Sequence, residues 1–128
     1  MSEKRQTPLK KAEGLGSAHD GVHHWWHQRI TALAAIPLIL WLACSVMSSV
    51  VGASYEEFTT WLSAPHNTIL MILTIVTIFY HAALGTQVIV EDYFTGWMKW
   101  WGIMKTKYYF AIAAVICIFA VLKVSFAG

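Results

Sequence analysis

Charge is what this sequence has least of. Of its 128 residues only 12% are Asp, Glu, Lys or Arg, while 57% are apolar. That balance is foreign to soluble domains. From Thr68 to Val90 there is no Lys, Arg, Asp or Glu at all. Cysteine is scarce as well: Cys44 and Cys117 are the two present, without CxxC or metal-site spacing. A disulfide framework and a cysteine-held cluster are thereby excluded, and both thiols read as apolar packing residues. Dinucleotide-type glycine motifs, internal repeats and low-complexity runs are missing too. No secretory signal is expected, because the first apolar span starts too late and runs too long for an h-region.

What is present is three apolar spans, at about residues 30–51, 68–90 and 108–126. Each is long enough to cross the hydrocarbon core as a helix. The expected fold is an all-α membrane protein with three transmembrane helices and a short interfacial helix in the first connector. Residues 1–20 are expected to form a mobile polar tail, and residues 21–128 a three-helix anchor domain. So few helices enclose little interior, so partner chains are expected. Pro37 removes one hydrogen bond from the first span and is expected to kink it, while Ser45, Ser48 and Ser49 give a small packing surface. In the first connector Tyr55, Phe58, Trp61 and Leu62 recur on one helical face, as a helix lying in the interface requires. Residues 63–67 then break the chain and start the second span, with His66 read as interfacial. A basic, tryptophan-rich connector is expected after that span, with Tyr108 and Tyr109 opening the third and Lys123 snorkelling at its far end.

The basic residues are unevenly placed. Five lie in the stretch ending at Arg29, and Lys99, Lys105 and Lys107 lie in the second connector. The first connector has none, only Glu56 and Glu57. The positive-inside rule therefore expects a cytoplasmic (or matrix-side) amino terminus and second connector, with the carboxyl terminus opposite.

The chemistry concentrates on the second span. His81 lies within the uncharged run, where an imidazole has no water to bond. Three readings stay open: a hydrogen bond between helices, a proton relay, or an axial ligand to haem iron. Ala82, Ala83 and Gly85 follow it and leave room for a flat group or another helix. A relay needs a chain of ionisable groups, and this span holds one. A haem ligand would need a second histidine at similar depth, which this chain lacks, so that ligand would come from another polypeptide. Helical geometry puts Asp92 about 20° around the axis from His81, and Tyr93 about 18 Å along it. A phenol and carboxylate at a helix end are either interfacial anchors or a hold for a quinone headgroup. Near the amino terminus, His23, His24 and His27 have partial metal-ligand spacing but no Cys or carboxylate to complete a site. The tandem Trp25 and Trp26 suit the headgroup level. Arg29 either snorkels to the headgroups, the reading its residue type favours, or clamps a buried carboxylate.

Two sets of residues carry a resemblance. Gly21, Val22, His23, Arg29, Thr31 and Ala32 resemble the entry to the first helix of the small membrane anchor of succinate dehydrogenase (complex II). His81, Ala82, Gly85, Asp92 and Tyr93 resemble its second helix, and Ser54, Tyr55 and Glu56 its first loop. The likeness runs from Gly21 to Gly128. It implies a cytochrome b556-type anchor of succinate:quinone oxidoreductase, sharing a b-type haem with a companion anchor subunit. His81 corresponds to the axial haem ligand, while Arg29 corresponds to an arginine near the haem propionates. His23 and Gly85 fall at the haem edge and face, and Tyr93 with Asp92 at the quinone site. The resemblance further implies iron–sulfur and flavoprotein subunits, heterotetramers grouped as a trimer, and the bacterial inner membrane rather than the mitochondrial one. Residues 24–28 depart from the family in being polar and bulky. A haem-free anchor or small transporter is the rival expectation.

Overall fold

The protein, seen in a computed structural model, is described at residues 8–9 and 18–127. Most of the expected polar tail lies outside the described residues. Its last part, from Ala18, is already helical. In chain order the elements are α1 (Ala18–Ser45), a π-helical turn (Val46–Val50), α2 (Tyr55–Ser63), α3 (Pro65–Tyr93) and α4 (Gly96–Ala127). No strand occurs among the described residues. Among them, three segments are long and apolar enough to cross a membrane: Val22–Val50, Pro65–Tyr93 and Gly96–Ala127. The chain is thus an all-α, three-span membrane protein.

The helices outrun the apolar spans. Residues expected to be connector, from Gly96 to Lys107, form the first turns of α4. The cluster from Val22 to Arg29 likewise belongs to α1. Hydropathy marks where a helix meets lipid, whereas the helix itself ends only where its backbone bonds end. At 32 residues, α4 is about 48 Å long by helical rise, well beyond a hydrocarbon core of about 30 Å. Its Trp-rich start therefore projects into the headgroup region. α1 runs unbroken through Pro37 to Ser45.

Only Phe94 and Thr95 separate α3 from α4. The Phe94 amide closes α3 by donating to the Val90 carbonyl at 3.0 Å. Gly96 then turns the chain at φ +66°, a left-handed conformation that a β-carbon would disfavour. The two helices cross closely at Gly102, where a β-carbon would lie 2.7 Å from Val90 Cγ1.

The opposite end is knitted by side chains. Ser54 caps α2: its amide donates to Glu57 Oε2 at 2.7 Å, and its hydroxyl accepts from the Glu57 amide at 3.3 Å. Hydrogen bonding to it from Ser54, from the backbone foremost and then the side chain, holds the Glu57 carboxyl below its ordinary range. The expected apolar face of α2 is present, with Leu62 buried, Phe58 and Trp61 half-buried and Tyr55 left exposed. Trp61 stacks on Trp41 of α1 with centroids 6.2 Å apart. At the start of α3, Asn67 Nδ2 donates to the Trp61 carbonyl at 2.8 Å, and the Thr68 hydroxyl donates to the Leu62 carbonyl at 2.6 Å. Thr68 also meets Ser125 Oγ of α4 at 2.9 Å.

α3 is the middle helix, packing on α1 and on α4, while those two make no close backbone approach to each other among the described residues. The core is correspondingly thin. Buried apolar residues are Ala35, Leu62, Leu84 and Val90, and the most enclosed side chain is a threonine, Thr74. Its hydroxyl donates to the Leu70 carbonyl at 2.7 Å, the partner a buried hydroxyl needs. Most large apolar side chains face outward, as lipid or partner subunits permit.

Candidate functional site

His81 sits in α3 against α1. Its Nδ1 lies 3.0 Å from the Thr31 hydroxyl. That hydroxyl also reaches the carbonyls of His27 at 2.8 Å and Gln28 at 3.0 Å in its own helix. A threonine hydroxyl has one proton, and the preceding turn of the helix is its usual recipient. With the proton directed there, the oxygen accepts from Nδ1–H of His81. The imidazole is then held as the tautomer whose free lone pair is on Nε2. A neutral imidazole fixed through one nitrogen by a hydrogen bond, with the other bare, is the arrangement a metal ligand needs. Of the alternatives the sequence left open, the hydrogen bond between helices is present, and it does not exclude ligation through the other nitrogen.

The surroundings of His81 are small and incompletely satisfied. Gly85 faces α1, and a β-carbon on it would meet only Gln28 Nε2, at 3.5 Å. The Gln28 Oε1 is buried and has no hydrogen-bond partner. Arg29 clamps no carboxylate among the described residues. Its guanidinium lies over the Trp25 ring, 4.4 Å from the centroid, a cation–π contact. His23 is exposed and stacks on His27 with centroids 6.3 Å apart. No group of three or more His, Cys, Asp or Glu suited to a metal occurs among the described residues.

At the end of α3, Tyr93 is 81% exposed and Asp92 is exposed beside it. Glu91 is engaged by Gln87 Nε2 at 2.9 Å, so Asp92 is the freer carboxylate of the pair. Tyr93 and His81 are not brought together within this chain; one rigid helix carries both.

Sequence reasoning missed the roles of Thr31 and Gln28. Thr31 lies 50 positions from His81, and no local spacing shows which hydroxyl meets a buried imidazole. The signal available was its place two residues after Arg29, turned away from the exposed side chains of Ile30 and Leu33.

The fold and these side chains define a multi-pass membrane subunit built to work against other chains. A family profile described as succinate dehydrogenase/fumarate reductase transmembrane subunit matches residues 3–122. The chain belongs to that family, as a membrane-anchor subunit of succinate dehydrogenase, a non-catalytic part of the enzyme complex. It is similar to the succinate dehydrogenase hydrophobic membrane anchor subunit of Paracoccus denitrificans, 33% identical over 90 residues, covering 70% of this chain and 69% of the relative. The subunit of the same name from Rickettsia bellii is 40% identical over 86 residues, or 66% and 67% of the two chains. The succinate dehydrogenase membrane anchor subunit of Reclinomonas americana is 35% identical over 78 residues, or 59% and 65%. No solved structure matches the chain.

Proposed function

We propose that this anchor subunit shares a b-type haem with a companion anchor subunit, and that it contributes Tyr93 and Asp92 to the site of quinone reduction. The observation that carries the reading is the Thr31–His81 contact, which tethers Nδ1 of a mid-span imidazole at 3.0 Å; with Thr31 as the acceptor, the free lone pair is on Nε2. The residues fit the group. His81 would hold the iron through Nε2, beside the open face at Gly85. The unpartnered Gln28 amide oxygen lies in the same wall, and Arg29 leaving Trp25 could reach a propionate, with His23 at that edge. A bound haem would supply one-electron storage within the membrane part. A second ligand to the iron would come from the companion subunit.

This chain's own residues act on the substrate at the end of α3. The Tyr93 phenol donates a hydrogen bond to a quinone carbonyl, orienting the headgroup while its tail stays in lipid. Asp92 offers a carboxylate at the water boundary through which protons are delivered to the quinone oxygens. Charge asymmetry supports a cytoplasmic position for this end, in the bacterial inner membrane, where the flavoprotein and iron–sulfur subunits dock and release electrons. The carboxyl terminus is then periplasmic.

The test is His81→Ala in the intact complex. Low-spin b-haem absorption should be lost or shifted while the anchor remains inserted and the soluble subunits remain bound. An unchanged spectrum at full complex content would show that the iron is held by other groups.

A further inference from the structure

The hydrogen bond of the His81 ring reaches from α3 to another helix. Its partner, Thr31, lies on a face of α1 where Gln28 and Ala35 recur at helical spacing. That face packs on α3. Ala35 is buried, and a β-carbon on Gly85 would lie 3.5 Å from Gln28 Nε2. A ring contact closes the same seam, His27 of α1 meeting Tyr80 of α3 edge-on with centroids 6.3 Å apart. The Thr31 hydroxyl is thus placed by packing on both sides of it along α1.

Three acceptors surround that hydroxyl: the carbonyl oxygens of His27 at 2.8 Å and Gln28 at 3.0 Å, and Nδ1 of His81 at 3.0 Å. It has a single proton to offer. If the proton went to Nδ1, the hydroxyl oxygen would face two carbonyl oxygens at these distances with no hydrogen between them. Shared by the carbonyls in a three-centre bond, the same proton relieves both contacts, and the third becomes a bond donated by Nδ1–H. The local helix therefore makes Thr31 an acceptor toward the imidazole, and one that does not reverse its role. An acceptor behind a histidine ligand fixes the ring orientation and raises the basicity of the opposite nitrogen. We propose, resting on the haem reading above, that Thr31 is a positioning residue that sets the potential of the haem held by His81. A more electron-rich Nε2 favours ferric over ferrous iron, so the hydroxyl lowers that potential. It acts only through the imidazole. Because donor and acceptor stand on different helices, the potential is tied to the seating of α1 on α3.

The test compares Thr31→Val and Thr31→Ser in the intact complex. Valine keeps the branched shape and removes the acceptor, whereas serine keeps the hydroxyl and removes a methyl group. The readouts are the midpoint potential of the b-haem by optical redox titration and the g-values of its low-spin ferric EPR signal. Thr31→Val should raise the potential and shift the g-values, while Thr31→Ser should stay near the parent in both. Each readout is a property of the bound haem, so it holds even where a variant assembles less complex. Loss of haem from Thr31→Val alone, at matched complex content, would show the same dependence on the hydroxyl. A parent-like potential and EPR signal in Thr31→Val, a lowered potential, or equal changes in both variants would overturn the proposal. His81→Ala keeps the two readings apart. A spectrum indifferent to His81 removes the haem reading, whereas one that needs His81 and ignores Thr31 removes this proposal alone.

Discussion

The two ends of this bundle are finished in different ways. Around the first connector, the polar side chains of Ser54, Thr59, Asn67, Thr68 and Ser125 all find partners within the chain. At the other end His24 and Gln28 keep buried atoms without partners, while Tyr93, Trp97 and Trp101 stand exposed. A membrane subunit has little apolar core to lend it stability, so the first end is held by hydrogen bonds in a medium that offers no water in exchange. The second end is left open, as the proposed haem and quinone sites require. On that reading stability and chemistry are divided between the ends, and substitutions should separate them.

The largest effect on stability is expected from Thr68→Val. It removes the donor to the Leu62 carbonyl and the partner of Ser125, a loss of about 1–3 kcal/mol for buried groups left unsatisfied. The thermal midpoint of the purified complex should fall, with its haem spectrum unaltered below that midpoint. A midpoint equal to the parent's would show that this end is not where the fold is held.

Tyr93→Phe should do the reverse. The ring remains and only the donor goes, costing about 0.5–1.5 kcal/mol of interaction with the quinone. Succinate-to-quinone turnover should fall severalfold while reduction of a soluble dye by the catalytic subunits persists and the thermal midpoint holds. Equal quinone turnover at matched complex content would remove Tyr93 from the site.

Ser54→Ala should cost about 0.5–1 kcal/mol through the lost cap of α2. The capping pair also has a pH signature. The Glu57 carboxyl is depressed in the folded state by its bonds from Ser54. Its stabilisation is therefore present above the unfolded carboxylate pKa and fades as pH falls through the folded one. A thermal midpoint difference between parent and Glu57→Gln should shrink in acid; a difference independent of pH would deny the ionised cap.

Gly85→Ala should change stability least. The added β-carbon meets only Gln28 Nε2, at an ordinary contact distance of 3.5 Å, and alanine favours the helix by about 0.5–1 kcal/mol. Complex content should match the parent's, while the haem band should shift because the open face proposed for the haem is narrowed. An unaltered band would remove Gly85 from that face.

The three crossings, the α2 face and the break before α3 were legible in the sequence because each rests on local pattern: uncharged length, apolar spacing, and Ser-Ala-Pro at a helix start. Helix ends were less legible. Gly96 to Lys107 looks like a connector by its lysines and tryptophans, yet tryptophan and lysine are acceptable helix residues, and the true turn is the two residues before a glycine. The π-helical turn at Val46–Val50 had no signal beyond its serines. In the site, His81 announced itself by isolation in an apolar run, and Tyr93 and Asp92 by their place at its end. Thr31 did not, since its meaning comes from the packing of α1 on α3. Arg29 was read as reaching headgroup or carboxylate, and the structure lays it on Trp25 one turn back, a contact that the four-residue spacing permits.

The two-residue link between α3 and α4 also bears on the order of assembly. A loop so short costs little entropy to close, and the Val90–Gly102 crossing lies just beyond it. These helices therefore form a hairpin that can enter the bilayer as one body. The first helix, made earlier on the ribosome, is tied to that hairpin through a longer connector and docks along a seam where Thr31 meets His81. The imidazole is aligned only when that docking is complete. A chain whose first helix is misplaced would then still insert, and, on the proposed haem reading, would fail at the step of cofactor capture.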